Sequence, residues 1–425
     1  MAPRALGPLA GLFLLLVAGV AMARDLTLAE AERMLLAHNR DLAAARRAVE
    51  AADAQLDIAA ARPNPTVSLD TTSLSASPGI GPGALNQKRA DTVLRIEQPF
   101  ERGGKRELRI AAAGSLQQAA RSDSLEAQRA VLAQLRSAYF ELKLAQEKLA
   151  VLQESAELFT GTLRAAQRRL KAGDLAPAEV AKIQVDHERA QNEARAAGAE
   201  LARARFALAF LIGAEAAAGA LRAADPWPAP AGPGPGEVAA ALAAAESRPD
   251  VAAARARVAA AEKLRDLALS QRTRDITLGA QVERYPGSVP VNSIGFGISF
   301  PLFTGNDFSG EIRRAEAERY AALDALERAR AVAANDVRRA GSDLAAAADR
   351  LARYDGTLVA AAERSAQAAE FAFQRGATSV LEVLDARRTL RAVRMEALSA
   401  RAEHAIALAA WQASRGPTQS AGEEK

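Results

Sequence analysis

Between Gly104 and Ala172 the chain contains no proline, and its only internal glycines are Gly114 and Gly161. An unbroken helix over that span, at ~1.5 Å per residue, is on the order of 100 Å long. No ordinary globular domain is that wide, so the chain must build something elongated. Leu125, Gln128, Leu132, Leu135, Tyr139, Leu142, Gln146 and Leu149 step by threes and fours. After a phase slip Leu152, Ala156, Phe159, Leu163, Ala166 and Leu170 continue the stripe, which predicts a coiled-coil seam. Gly173 breaks this helix, and a return helix begins near Pro177, a residue suited to a first turn. Composition fits long, thin packing: hydrophobic residues are 49% but aromatics only 4%, with Ala dominant.

The plan occurs twice. Arg40–Asp53 aligns with Pro249–Glu262 at an offset of 209, which also carries Val67 to Ile276 and Leu69 to Leu278. Leu94, Ile96, Pro99, Gly103 and Ile110 match Phe296, Ile298, Pro301, Gly305 and Ile312 at 202, and Ala172–Val180 matches Arg375–Val383 at 203. Alanine-rich helices align easily by chance, whereas matched prolines, glycines and strand parity do not. The expected organisation is a first repeat over 24–225, a Pro/Gly linker over 226–236, a second repeat over 237–415 and a flexible tail over 416–425. In each repeat a helix comes first (about Thr27–Arg62; Gly236–Arg272). Two strands, a long helix and a return helix follow. The second repeat's long helix runs from about Phe308 to Arg375 and its return helix to about Ser414.

Residues 1–23 read as a secretory signal peptide: Arg4, an apolar run over Leu9–Val20, then Ala21-Met22-Ala23. The mature chain is expected to begin at Arg24. The sequence has no cysteine, so neither a lipid anchor on that residue nor a disulfide is available. No later stretch reaches the roughly 18 apolar residues of a spanning helix. The net charge of +4, with both signs interspersed, gives no case for nucleic acid.

The predicted strands are Thr66–Ser75, Asp91–Phe100, one starting at Ile276, and one centred on Ile294–Phe300. A loop with Pro78, Gly79, Gly81, Pro82 and Gly83 joins the first pair, and Pro286, Gly287 and Ser288 turn the second. Strict alternation gives an oily face of Val67, Leu69, Leu94, Ile96, Ile276, Leu278, Val282, Ile294, Phe296 and Ile298. The wet face is Ser68, Asp70, Arg95, Glu97, Gln281, Glu283, Ser293 and Ser299. A soluble hairpin burying one face has this pattern. So does a tilted strand of about 9–11 residues crossing a bilayer. In lipid such strands must close into a barrel, and four are too few, so identical copies must pool them.

These strand pairs, the long helix, and the tips "RRLKAGDLAPAEVAKIQ" (Arg168–Gln184) and "FQRGATSVLEVLDARRTL" (Phe373–Leu390) together resemble the TolC-like outer-membrane efflux family over essentially the whole mature chain. "RPNPTVSLD" (Arg62–Asp70), "EQPFERGGKRELRIAAA" (Glu97–Ala113) and "FPLFTGNDFSGEI" (Phe300–Ile312) look most like its cobalt-zinc-cadmium resistance branch. The resemblance implies a mainly α fold with a small transmembrane β part. It implies a homotrimer whose twelve strands form a barrel in outer-membrane lipid, continuous with a periplasmic α-helical barrel. It also implies a periplasmic adaptor protein and an inner-membrane pump, of the resistance-nodulation-division type. The entrance constriction it implies falls on Glu382 and Asp385, at i and i+3 on one helix face. The family has Asp at both positions, so Glu382 departs from it. Arg375, Arg387 and Arg388 stand close enough to pair there. Both acids could equally be solvated surface residues.

Adaptor contacts are expected at Arg169, Leu170, Gly173, Asp174 and Leu175 of the first tip and at Arg375, Gly376, Ala377 and Thr378 of the second. The plainer reading is that they only make turns, but an exposed Leu175 would need cover. No catalytic, cofactor or metal site is expected. His38, His187 and His404 are far apart with no second ligand at metal spacing, and "ERGGKRE" (Glu101–Glu107) lacks phosphate-loop spacing and reads as a bend. The expected function is the outer-membrane channel of a tripartite efflux system, with heavy-metal cations as possible cargo. Two readings compete with it: a duct for drugs or secreted proteins, and a soluble periplasmic coiled-coil adaptor.

Overall fold

A computed structural model of the chain describes residues 24–72, 90–285, 291–375 and 377–415. The expected signal peptide, the first strand's end from Ser73, both strand-connecting loops, Gly376 and the tail lie outside the described residues.

In chain order the elements are β1 (Arg24–Leu26), α1 (Leu28–His38), α2 (Arg40–Ala60), β2 (Thr66–Thr72), β3 (Asp91–Phe100), α3 (Lys105–Lys171), α4 (Pro177–Ile212) and β4 (Leu221–Ala223). Then come α5 (Glu237–Ala244), α6 (Pro249–Ser270), β5 (Ile276–Tyr285), β6 (Val291–Ser299), α7 (Ser309–Arg353), α8 (Val359–Gln374) and α9 (Val380–Ser414).

The proline-free stretch is a single helix of 67 residues. Its seam buries Leu135, Tyr139, Leu142, Leu152, Ala156, Phe159 and Ala166, but Leu125, expected in it, is 57% exposed. Two helices expected to be continuous are broken, and a third runs on through a π turn. Asn39 ends α1 because its side chain accepts from Asp41 N at 2.9 Å and Leu42 N at 3.1 Å, capping α2 instead. A 3-10 turn over Ala245–Ser247 separates α5 from α6, which restarts with Pro249 in its first turn. A single π turn at Tyr354–Leu358 joins α7 to α8.

Two compact units interleave along the chain. One takes Ser137–Trp227, Ala361–Ala402 and the chain up to Leu35; the other takes Leu36–Arg136, Pro228–Ala360 and the chain from Glu403. In the first, β1 and β4 form a small parallel sheet, with Leu26 beside Ala223, that sequence reading missed. The Tyr139 hydroxyl, fully buried, donates toward Leu26 O at 2.9 Å and Asp225 Oδ2 at 2.9 Å, and accepts from Ala224 N and Asp225 N. Only one hydroxyl proton exists, so the two oxygens share it. Trp227 stacks on Phe140 at 6.0 Å and donates to the Glu147 carboxylate, which anchors the start of the linker. The same unit packs Phe159, Ala166, Val180, Ile183 and Leu384 into a core.

In the second unit Val251, Val258, Val337, Leu344 and Trp411 form the core. Gly341 lets Trp411 approach: a Cβ there would stand 3.2 Å from the indole. This unit also holds the large sheet, of order β2-β3-β5-β6 and antiparallel throughout. At the sheet's helix end Gly103 and Gly104 adopt φ of +74° and +69°, the left-handed bend that "ERGGKRE" predicts. Lys105 is buried there against Asp275 (2.8 Å) and Thr273 O (2.9 Å).

Candidate functional site

The sheet's register decides which side chains share a face. Val67 pairs with Ile96 and Leu69 with Leu94. Leu94 pairs with Val282, Ile96 with Ala280, and Phe100 with Ile276. Leu278 pairs with Ile298, Ala280 with Phe296, and Val282 with Ile294. All ten apolar positions expected on one face therefore stand on one face. Nothing among the described residues covers it: Phe296 is 86% exposed and Ile294 72%, and Val67, Leu69, Leu94, Ile96, Leu278, Val282 and Ile298 are exposed too. Ile276 is half-buried. Each such side chain gains roughly 1.5–3 kcal/mol on burial. A face of this size left in water costs on the order of 10 kcal/mol by the same measure.

The opposite face is hydrogen-bonded. Arg95 Nε donates to Gln281 Oε1 at 2.8 Å, Ser293 Oγ to Glu283 Oε2 at 3.1 Å, and Tyr285 Oη to the same carboxylate at 2.6 Å. Gly279 and Gly295 leave room for the side chains of Glu97 and Gln281, whose atoms would stand 3.4 Å and 3.0 Å from an added Cβ. Among the described residues the sheet's outer strands, β2 and β6, each pair on one side only. An apolar face, a polar face and two open edges describe a segment of a wall rather than a finished sheet.

The helical turns of the first unit follow one pattern. At the first, Gly173 has φ +82°, Gly173 N donates to Leu170 O at 3.0 Å and Asp174 N to Arg169 O at 2.9 Å, a Schellman motif. At the second, Ala377 N donates to Ala372 O at 2.9 Å, the same six-residue closure. Leu175 is not the exposed residue expected: it packs, partly buried, against the core of Ala166, Val180 and Ile183, as does Leu170. Arg169 and Asp174 are exposed, as are Arg375 and Ala377, while Thr378 is half-buried.

Glu382 and Asp385 are both exposed in the first turns of α9. Glu382 N donates to Ser379 Oγ at 3.3 Å, so Ser379 is the N-cap of α9 and Glu382 its N3 residue. That signal, Ser-x-x-Glu, was readable in the sequence. The neighbouring arginines do not reach these acids. Arg387 donates to Glu370 at 2.8 Å, Arg388 pairs with Asp186, Arg391 donates to Glu193 at 2.7 Å, and Arg394 to Glu363 at 2.9 Å. A ladder of four arginines thus ties α9 to α8 and α4. Arg375 lies instead over the Phe371 ring, 5.1 Å from its centroid. No group of three His, Cys, Asp or Glu among the described residues could hold a metal ion, and no described helix is long and apolar enough to cross a membrane.

A sheet with one uncovered apolar face and, in the same chain, long helices with tight turns set the class: an outer-membrane efflux protein. The chain belongs to the outer membrane efflux protein family, whose sequence profile matches residues 33–214 and 242–416. It is 28% identical to the cobalt-zinc-cadmium resistance protein CzcC of Cupriavidus metallidurans over 390 residues, 88% of this chain and 86% of that one. It is 31% identical to protein CyaE of Bordetella pertussis over 339 residues, 76% of this chain and 70% of that one. Among solved structures it matches CusC, described by its transmembrane channel formation, at a TM-score of 0.73 and 20% identity, over 98% of this chain and 99% of that one. The chain is an outer-membrane efflux channel protein. With no cysteine in the sequence, it carries no lipid on that residue.

Proposed function

We propose that this chain is the outer-membrane duct of a tripartite efflux system and that three copies assemble it. Each copy contributes its four-stranded sheet to a closed twelve-stranded barrel, β2 of one pairing antiparallel with β6 of the next. The observation that carries this is the uncovered apolar face on a sheet with two open edges. Closure satisfies both edges, the oily face meets lipid, and the network around Arg95, Gln281 and Glu283 faces a water-filled lumen. The domains are two repeats, 24–225 and 237–415, joined by 226–236.

The turns at Gly173 and near Ala377 present Arg169, Gly173, Asp174, Arg375 and Ala377 to a periplasmic adaptor, with Leu170, Leu175 and Thr378 partly buried behind them. That adaptor couples the duct to an inner-membrane pump of the resistance-nodulation-division type. Glu382 and Asp385, three copies of each, form the entrance constriction, and the α9 arginine ladder holds the hairpins together around it. The cargo is heavy-metal cations, on the strength of the likeness to CzcC. The test is a gene deletion challenged with panels of metals and drugs. Sensitivity to divalent metals supports the reading, and sensitivity to drugs alone overturns the cargo.

A further inference from the structure

The apolar face ends abruptly toward the helices. Phe100 pairs with Ile276, and Phe300 extends the β6 alternation beside them. Both phenylalanines are exposed, as is Leu302 beyond them. Two positions further along the same alternation stand Arg102, after Phe100, and Arg274, before Ile276. The two segments run side by side: Arg102 N donates to Asp275 Oδ1 at 2.9 Å, and Gly103 sits so close to Thr273 that a Cβ would be 2.9 Å from it.

Both arginines are exposed. The Arg102 guanidinium has no ion-pair partner among the described residues, and that of Arg274 lies 5.6 Å from the centroid of the Phe303 ring. The nearby acids are already matched, Asp275 to Lys105 and Glu101 to Arg109. A ring edge at the limit of an apolar band, followed one step out by unneutralised guanidinium groups, is the profile of a bilayer interface.

The spacing agrees. Arg284 is the next arginine on the same alternation of β5, opposite Thr92 and Asn292, and closes the apolar run at its other end. The ten residue-to-residue steps from Arg274 to Arg284 span ~33 Å in extended chain, which a tilt of ~40° reduces to ~25 Å, the height of an outer-membrane apolar band.

We propose that Arg102 and Arg274, above the Phe100–Ile276–Phe300 row, bind the phosphates of anionic glycerophospholipids in the periplasm-facing leaflet. A guanidinium forks onto two phosphate oxygens, and a headgroup without a balancing cation leaves that charge free to be bound. Three copies would space the pairs around the barrel. This rests on the barrel reading above.

The test uses the full chain purified in mild detergent and exposed to equal amounts of phosphatidylglycerol and phosphatidylcholine, with retained lipid counted by native mass spectrometry. The parent is expected to retain phosphatidylglycerol at least threefold over phosphatidylcholine, and to lose that preference in 0.5 M salt. The double variant Arg102→Ser/Arg274→Ser should retain the two lipids equally, and Arg102→Lys/Arg274→Lys should recover part of the preference. A parent that binds both lipids equally, or a Ser variant that keeps the preference, overturns the proposal and leaves the barrel standing. A parent that is soluble without detergent and retains neither lipid overturns the barrel itself, and this inference with it.

Discussion

Tyr139 Oη lies 2.9 Å from Asp225 Oδ2, and the same carboxylate oxygen accepts from Leu28 N at 2.6 Å. One phenol thus fastens the strand at Arg24–Leu26 and the end of β4 to the middle of α3. Tyr139→Phe leaves Asp225 N without its acceptor. It also removes one partner each from Asp225 Oδ2, which keeps Leu28 N, and from Leu26 O and Ala224 N, which keep each other. It should cost about 1–3 kcal/mol, read as a lower midpoint in thermal or denaturant unfolding. An unchanged midpoint would show that the hub is dispensable.

Burial, with Asp225 beside it, pushes the Tyr139 phenol up to about 12. An unfolded tyrosine releases its proton near 10. Above pH 10 the unfolded chain therefore loses a proton that the folded chain keeps, so stability falls as pH rises from about 10 to about 12. Tyr139→Phe should flatten that part of the stability profile. An identical slope in parent and variant would assign it to other groups.

The two faces of the sheet should respond oppositely to charge. Phe296→Arg places a cation in the middle of the exposed apolar face and should cost roughly 2–4 kcal/mol of membrane stability if that face meets lipid near the midplane. Gln281→Arg, on the hydrogen-bonded face, should leave insertion near the parent level. Urea titration of the protein folded into vesicles reads both. Equal losses would mean that the faces are not divided between lipid and water.

At the strand-to-helix bend, Gly103→Ala meets two penalties, a positive φ and a Cβ 2.9 Å from Thr273, whereas Gly104→Ala meets only the first. A left-handed alanine costs roughly 1–2 kcal/mol. Gly103→Ala should therefore lower the unfolding midpoint clearly more than Gly104→Ala.

Glu382 combines two roles that can be separated. As an acidic residue in the first turn of α9 it should contribute about 0.3–1 kcal/mol of stability through the helix dipole, the most that Glu382→Gln can remove. As a constriction carboxylate it should limit ion flow, so Glu382→Gln and Asp385→Asn should raise conductance in planar bilayers without a comparable loss of stability. Unchanged conductance in both would return these acids to the helix surface.

How far the sequence predicts this molecule depends on how local each signal is. The strands at Asp91–Phe100 and Ile276–Tyr285 were readable because alternation and the terminal Pro99 act residue by residue. Parity gave the face that Leu94 and Val282 share, but not that β3 pairs with β5 or in which register. The 67-residue helix was readable from the absence of breakers. What escaped depends on distant partners. Nothing near Leu26 announces Ala223, and a three-residue strand carries no period. The break at Asn39 rests on its side chain capping the next helix, a common use of asparagine that the helical pattern on both sides masked. Arg387 and Arg388 were expected beside Glu382 and Asp385, whereas they and Arg391 and Arg394 find acids scattered over Asp186, Glu193, Glu363 and Glu370. Leu175 was misjudged because its cover, Val180 and Ile183, comes from the next helix turning back over it.

The central claim is that one face of the β2-β3-β5-β6 sheet meets lipid and the other meets water in a closed barrel. The absence of native cysteine gives a clean background for single substitutions. Leu94→Cys and Phe296→Cys, with Gln281→Cys and Ser293→Cys for the other face, can each be labelled in vesicles with a water-soluble and a lipid-soluble maleimide. The account predicts that positions 94 and 296 react only with the lipid-soluble reagent and that positions 281 and 293 react with the water-soluble one. Fast reaction of positions 94 and 296 with the water-soluble reagent would contradict it.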